Sequence, residues 1–504
     1  MNTRFTIFTM VTALALATSF SCTETQQAAP EIMPNILFIA IDDMNDWTGF
    51  LGGHPQAVTP NMDKLANLGV NFTNGHCSAP GCSPSRNALL FGVEPFNSGL
   101  YPFYLMENIP EEVKAQYTTL PQFLRKNGYA TYGAGKIHHG SGGLPGEWDD
   151  YLVQNMVELK SNLQYNADAG YQIGDSRKMA FCPTTNPLED HPDHQVASYG
   201  VDVLSRDHDK PFFLAVGIVK PHLPFVAPQQ FFDLYPDKVE PPQIKTDDHS
   251  DIPWPGRAMA KINDDFRFRE DEAWNDVRRA YLACISWADY NIGRVLDALE
   301  KSPYADNTVV VLWSDHGYGM GEKRHFRKFA LWEETTRVPF IIWDSRDGKS
   351  PKGRTSAEGV SLINIYKTLA DLAGLTPPTH VDGVSLVPQL NDPATPVASP
   401  AITTWGRGNY GVRDDDWRYI RYFDGSEELY SHRDDPDEWT NLAGNQKYAA
   451  VKQGLAEGLP KVEAPLIREG ISLWNLVDAD KPDLTDAKKA WKIMNNKINP
   501  PLGE

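Results

Sequence analysis

Asn35-Ile36-Leu37-Phe38-Ile39-Ala40-Ile41 is a near-continuous apolar run, and Asp42-Asp43 follows it directly. A strand that is apolar on both faces belongs inside a sheet covered on both sides, and its end here delivers two carboxylates. Thr308 to Trp313 repeats the pattern and leads into a second polar pair, Asp315-His316. Phe212 to Val216 and Val338 to Trp343 are further buried strands. Helical stretches alternate with them: Pro60 to Leu68 with Thr59 as its cap and Gly69 at its close, Leu120 to Lys126, Glu270 to Leu299, and Ser361 to Leu372. Strands alternating with helices predict an α/β fold built on a doubly wound sheet. In such sheets ligands collect at the carboxyl ends of strands, so both acidic strand ends point to one site.

The texture changes near Pro396. Val412, Trp417 to Tyr422 and Glu428 to Tyr430 read as short antiparallel strands, with turns at Asp414-Asp415 and Asp424-Gly425. The expected organisation is a catalytic domain over residues 34–395 and a smaller C-terminal α+β subdomain over 396–504. Gly140 to Gly146 and Asp237 to Arg257 read as loops.

The chain has 504 residues, 41% of them apolar, 22% charged, and a net formal charge of −19. That composition buries a large core and excludes wholesale disorder. The acidic balance argues against a nucleic-acid partner, which needs a basic face. Residues 1–21 read as a secretory signal, with Arg4 ahead of the apolar run Phe5 to Phe20. Cys22 follows directly, as at a bacterial lipoprotein cleavage site, and 22–33 reads as a polar tether after a lipidated Cys22. An ordinary signal peptide is the alternative, because Ser19 stands where lipoprotein signals usually carry Leu. The first reading places the protein outside the cytoplasm, anchored to a bacterial membrane on its periplasmic face or at the cell surface. Cys77, Cys82, Cys182 and Cys284 are widely spaced with no CxxC pattern; any disulfide pairing among them stays open.

Cys82-Ser83-Pro84-Ser85-Arg86-Asn87-Ala88-Leu89-Leu90-Phe91-Gly92 carries the most specific signal. It resembles the Cys-x-Pro-x-Arg signature of the type I sulfatases, in the alkaline-phosphatase superfamily; Phe91 stands where the family has Thr. Gly135-Lys136-Ile137-His138-His139-Gly140, Lys220-Pro221-His222, Ser314-Asp315-His316-Gly317 and Lys328-Phe329-Ala330-Leu331-Trp332-Glu333 follow in the family's order. The likeness extends to Leu429-Tyr430, Asp435-Pro436 and Asn441-Leu442, and the spacing is most like the iduronate-2-sulfatase-like branch.

The resemblance implies that Cys82 is oxidised to formylglycine by a formylglycine-generating enzyme or an anaerobic maturase. The hydrated aldehyde attacks sulfur and expels the sugar alcohol; collapse of the hemiacetal sulfate then releases sulfate. It implies one divalent cation, Ca²⁺, held by Asp42, Asp43, Asp315, His316 and the converted Cys82; hard carboxylate oxygens suit that ion. His316 stands where many relatives carry Asn. Arg86 would fix the hydrated aldehyde, Lys136 and Lys328 would bind sulfate oxygens, and His222 would protonate the leaving alkoxide. Two choices stay open. The family pattern selects His138 and the branch pattern selects His139 as the base that deprotonates the hemiacetal. Lys328 fits the Lys-x-x-x-Trp-Glu pattern, while Lys323 is nearer Asp315 and is a candidate substrate contact. His325, Arg324, Arg327, Trp405, Arg407 and Arg413 are candidates for touching substrate, because Arg pairs with carboxylate or sulfate and Trp stacks on sugar rings.

The implied substrate is a sulfated oligo- or polysaccharide, such as fragments of the algal glycans ulvan or carrageenan, with glycosaminoglycans as the alternative. A phosphoester hydrolase of the same superfamily and a non-catalytic glycan-binding lipoprotein are the other readings. The filled set of nucleophile, carboxylates, lysines and histidines argues against the last of these.

Overall fold

A computed structural model describes residues 33–140, 142–153, 171–173, 179–260, 264–265, 268–269, 272–346 and 353–467, with Met1 and Glu469 besides. The expected signal, Cys22 and the last residues of the tail lie outside the described residues. The described residues from Pro34 onward form one compact unit.

The Asn35–Asp42 strand is buried along its whole length at the middle of an eight-stranded sheet. Thr308–Ser314 lies parallel on one side of it and Phe212–Pro221 parallel on the other. Ala130–Gly135 extends the parallel set beyond Phe212–Pro221, and Asp150–Leu152 closes that edge. Beyond Thr308–Ser314, Phe340–Asp344 runs antiparallel, followed by Val70–Phe72 and Arg354–Ser356. The sheet is therefore mixed. The return to Phe340 holds only the short turns Glu322–Arg324 and Glu333–Thr336, whereas a parallel neighbour is usually reached through a crossover helix.

Leu37, Ile39 and Ile41 share one apolar cluster with Val196, Tyr281, Ile285 and Trp287. Those residues come from the helices Pro192–Ser205 and Trp274–Lys301, which cover that face. Phe38 alternates to the other face and packs on Phe213 and Trp313. There the Arg86 guanidinium lies 5.5 Å over the Trp313 ring, which places the Cys82–Phe91 helix above this side. Two faces covered by helices explain why the strands read as unbroken apolar runs.

The helices Pro60–Leu68, Leu120–Lys126, Trp274–Lys301 and Asn364–Leu372 stand close to the expected spans. The cap of the first differs from expectation. The Thr59 side chain makes no capping bond to that helix; its hydroxyl accepts from Gly49 N–H and donates to Asp63. Asp289, from the long helix, accepts from Asn61 N–H at 3.2 Å and Met62 N–H at 2.8 Å instead. A carboxylate supplied by a neighbouring helix satisfies the same orphan donors.

The C-terminal strands form an antiparallel sheet of four, Ala401–Thr404, Tyr410–Arg413, Trp417–Arg421 and Glu427–Ser431. No helix among the described residues is long and apolar enough to cross a membrane.

Candidate active site

Four central strands run parallel, so their carboxyl ends meet at one edge. Asn35–Asp42 brings Asp42 and Asp43; Thr308–Ser314 brings Asp315 and His316; Ala130–Gly135 brings Lys136 and His139; Phe212–Pro221 brings His222. A register shift between Ile41 and Asp42 lets the acidic pair turn out of the ladder. Asp43 takes φ 64°, and its backbone is pinned on both sides: Asp43 N–H donates to Asp315 Oδ1, and Tyr281 O–H donates to Asp43 O. Gly135 and Gly217 make the Lys136 loop possible. A Cβ on Gly135 would meet the Gly217 carbonyl at 2.2 Å, and one on Gly217 would meet the Lys136 backbone at 2.4 Å.

Cys82 is the first residue of its helix, where unpaired N–H groups favour an anion. Its Sγ lies 3.3 Å from His316 Nε2, 2.9 Å from Lys328 Nζ and 3.7 Å from Asp43 Oδ1. Lys328 Nζ also donates to Asp43 Oδ1 at 2.6 Å, and Lys136 Nζ donates to Asp42 Oδ2. His222 Nε2 is 3.8 Å from Asp43 Oδ2.

Burial and the neighbouring Asp42 push the Cys82 thiol up, but Lys136 and Lys328 outweigh them and hold it below its ordinary value. Burial also acts against ionised Asp42, yet Lys136, His222, Arg86 and Lys328 keep it well below the usual carboxylate range. Burial raises Asp43 to about 7 with help from the Asp42 charge, against the pull of Lys328. Burial disfavours charge on His316, but Asp315 and Cys82 override it and push the imidazole up to about 9. These are the signs of a crowded anionic pocket that calls for more positive charge.

Asp42, Asp43, Cys82 and His316 bring one ligand atom each to within 4.8 Å of one another. Asp42 Oδ1 and Asp43 Oδ2 are buried without a hydrogen-bond partner. His316 Nδ1 donates to the Gly317 carbonyl at 2.8 Å, which leaves the Nε2 lone pair facing the carboxylates when the ring is neutral. Two unsatisfied carboxylate oxygens and an oriented imidazole fit a hard divalent cation. Asp315 borders this set rather than completing it: Oδ1 is 3.6 Å from His316 Nε2, while Oδ2 accepts from Arg86 Nε at 2.8 Å.

Arg86 is fully buried and its donors go to Asp315, to the carbonyls of Lys136 and Ile137, and to Ile41 O at 3.2 Å. It ties three strand ends together, so its hold on position 82 is exerted through the scaffold. Of the two adjacent histidines, His138 turns away and is buried against Glu147, with Nε2 2.8 Å from Oε2. His139 faces the centre. Burial lowers its pKa to about 3, with Lys136, Lys328 and Arg86 adding to the effect and Asp42 opposing it. Lys323 is buried away from the centre against Asp248, 3.3 Å distant, and the Glu438 carbonyl.

The expected substrate contacts fare unevenly. Arg413 is buried, with Nε 3.3 Å from Glu333 Oε2, and so is not a rim residue. It belongs to an ion network in which Arg418, on the next strand, pairs with Glu333 and Glu438. His325 is buried beside Trp332. Arg407 pairs with Glu463 and keeps a side chain 35% exposed. Arg324 pairs with Asp265, Arg327 with Asp264, and Trp405 is buried. The sequence carried no signal for Arg418, Glu438 or Tyr281, whose roles depend on long-range pairing; Glu333 was visible only as the end of the Lys328 motif. Cys77, Cys82, Cys182 and Cys284 are all buried.

These features define a hydrolytic centre at the carboxyl edge of an α/β sheet. The sequence profile of the sulfatase family matches residues 34–375, and that of the N-sulphoglucosamine sulphohydrolase C-terminal region matches 321–465. A sulfatase of Formosa agariphila is 36% identical over 485 residues, 92% of this chain and 93% of its own. The iduronate 2-sulfatase of Mus musculus is 30% identical over 392 residues, 68% of this chain and 69% of its own. A protein solved in complex with its substrate D-glucosamine-2-N,6-O-disulfate shares the fold, with a TM-score of 0.68 and 23% identity over 84% of this chain and 96% of that one. The chain belongs to the sulfatase family and is an enzyme that hydrolyses sulfate esters.

Proposed function

We propose that the enzyme removes sulfate from a sulfated carbohydrate, with formylglycine made from Cys82 and one Ca²⁺ in its centre. The observation that carries this reading is the setting of Cys82, at a helix N-terminus between Lys328 and the Asp42-Asp43 pair. A formylglycine there supplies a hydrated aldehyde as nucleophile, and the cation supplies Lewis acidity to it and to the sulfate. Asp42, Asp43 and His316 would hold the ion, with Asp315 supporting them through Asp43 N–H and Arg86.

The remaining steps belong to side chains of this chain. Lys136 and Lys328 take sulfate oxygens and stabilise the charge that grows on them. His222 donates from Nδ1 to the Leu223 carbonyl at 2.7 Å, so Nε2 carries the proton for the leaving alcohol only when the ring is charged. That Nε2 lies 3.8 Å from Asp43 Oδ2. His139 is neutral at working pH and its buried Nδ1 has no hydrogen-bond partner, which suits a proton acceptor. His139→Ala is expected to lower kcat about 10²- to 10⁴-fold. His138→Ala is expected chiefly to lower the melting temperature, because it removes one of three partners of buried Glu147, the others being Thr119 Oγ1 and Leu144 N–H. A larger loss of kcat in His138→Ala than in His139→Ala would reverse the assignment.

The carbohydrate reading draws on the iduronate 2-sulfatase likeness and on the fold shared with the glucosamine-disulfate complex. Algal fragments such as ulvan or carrageenan are the proposed source, because a lipoprotein sulfatase, as the Cys22 pattern suggests, suits a bacterium that forages for glycans. Sulfate release from a panel of defined algal and glycosaminoglycan oligosaccharides tests it. Release from the algal members supports it, and release only from glycosaminoglycans or from a phosphoester contradicts it.

We also propose export and lipid anchoring at Cys22, on the charged, apolar and cysteine pattern of residues 1–22. Cells fed a labelled palmitate analogue should label the wild type and not Cys22→Ala; equal labelling of both would refute the anchor.

A further inference from the structure

An aromatic wall stands beside the charged groups of the centre and has no part in the chemistry above. Phe329 follows Lys328 directly and is half-buried, while Trp405 is 6% exposed. Their rings stack, with centroids 4.9 Å apart and planes 18° from parallel. Phe103 meets Phe329 edge-on at 5.6 Å and Trp405 at 6.4 Å, and lies 5.3 Å from His139. The wall reaches the nucleophile: a Cβ on Gly81, the residue before Cys82, would sit 3.2 Å from Trp405 and 3.3 Å from Phe103. Cys82 and Trp405 share one apolar cluster, with Phe329 packed against it.

Two details separate this wall from ordinary core. Phe329 takes φ 83°, a left-handed conformation that a bulky residue adopts only under constraint. The constraint is its N–H, which donates at 3.0 Å to the carbonyl of Pro80 in the loop before Cys82. Strain kept beside a reacting group holds a side chain in a place that relaxed backbone would not give it. Trp405 supplies the second detail. Its Nε1 is buried without a hydrogen-bond partner, as are those of Trp148, Trp274 and Trp313, but of these four indoles only Trp405 shares the apolar cluster of Cys82.

We propose that Phe329, backed by Trp405, is a specificity-determining platform that takes the ring of the alcohol being released. The C–H face of a pyranose lies on Phe329, and one of its hydroxyls accepts a hydrogen bond from Trp405 Nε1. Lys328 Nζ links this platform to the chemistry, 5.8 Å from the Phe329 ring centroid and 2.9 Å from Cys82 Sγ. A sulfate held by Lys328 therefore carries its sugar to the Phe329 side. An uncharged platform in a centre ringed by cations reads the shape and apolar face of the sugar, leaving its charge to the lysines. The inference rests on the sulfatase reading of the same centre.

The test is equilibrium binding to Cys82→Ala protein, measured by calorimetry with two ligands: inorganic sulfate and the panel saccharide that the wild type cleaves fastest. Adding Phe329→Ala should lower the ratio of saccharide to sulfate affinity about tenfold, the scale of one lost ring contact. Phe329→Gly suits the native φ, so it guards against misfolding and should show the same fall. Phe329→Tyr should restore the ratio. Trp405→Phe keeps the stack, removes the N–H and should lower the ratio about threefold or more. A ratio that moves less than about twofold in both Phe329 variants overturns the platform; a ratio unmoved in Trp405→Phe overturns the hydrogen bond. If the wild type cleaves no member of the panel, the carbohydrate reading fails and the platform fails with it.

Discussion

Cys82→Ala is expected to abolish sulfate release while the protein still folds. The loss should reach at least about 10⁴-fold in kcat, or about 5.5 kcal/mol of barrier. No other described group can replace it: His316, Lys328 and Asp43 surround Sγ, but each already serves to hold charge or position. The structural cost is small by comparison. Position 82 lies in the first turn of a helix, alanine is the best helix former, and the change removes one buried sulfur. The melting temperature and sulfate release should be measured on the same preparation. Turnover retained in a folded Cys82→Ala protein would defeat the assignment of the nucleophile.

Lys328→Ala is expected to be the next most damaging change, with kcat falling about 10²- to 10³-fold, or about 2.7–4 kcal/mol. Burial disfavours the charge on this ammonium, but Asp43 and Cys82 together hold its pKa well above the ordinary lysine value. Removing it withdraws the cation that the sulfate oxygens would meet. It also removes the main influence holding down the Asp43 carboxyl, which burial already lifts to about 7. Lys328→Arg should rescue poorly, because a planar fork cannot stand in a pocket built for a point charge between Sγ and a carboxylate. Lys323→Ala provides the contrast. Lys323 is held by Asp248 and the Glu438 carbonyl, so its loss should reduce stability more than kcat. Equal falls in kcat for the two lysine variants would contradict the geometry.

Much of the fold was legible because burial on two faces writes itself as unbroken apolar runs. Asn35 to Ile41 and Thr308 to Trp313 are strands for that reason, and the carboxylates that follow them converge because the strands are parallel. The direction of Phe340–Asp344 was not legible, since an apolar run has no sense of direction and the connection, which lacks a crossover helix, sets it. Within the site, residues fixed by their own motif were readable, Cys82 above all. Choices between neighbours were not. His138 and His139 differ in the fold because Glu147, on another segment, takes one of them. Arg413 looked like a cleft residue, but Glu333 and Arg418 draw it into a buried network formed only when the C-terminal sheet packs.

The net charge of −19 acquires a narrower meaning in this setting. Lys136, Lys328 and Arg86 gather at one edge of an acidic body, a placement that favours a single sulfate in a pocket over a polyanion bound along the surface.

The state of residue 82 decides the central claim. Mass spectrometry of the peptide containing Cys82, from protein recovered from its native host, should show the mass loss that accompanies replacement of the thiol by an aldehyde. An intact Cys82 thiol in enzyme that is actively releasing sulfate would contradict it.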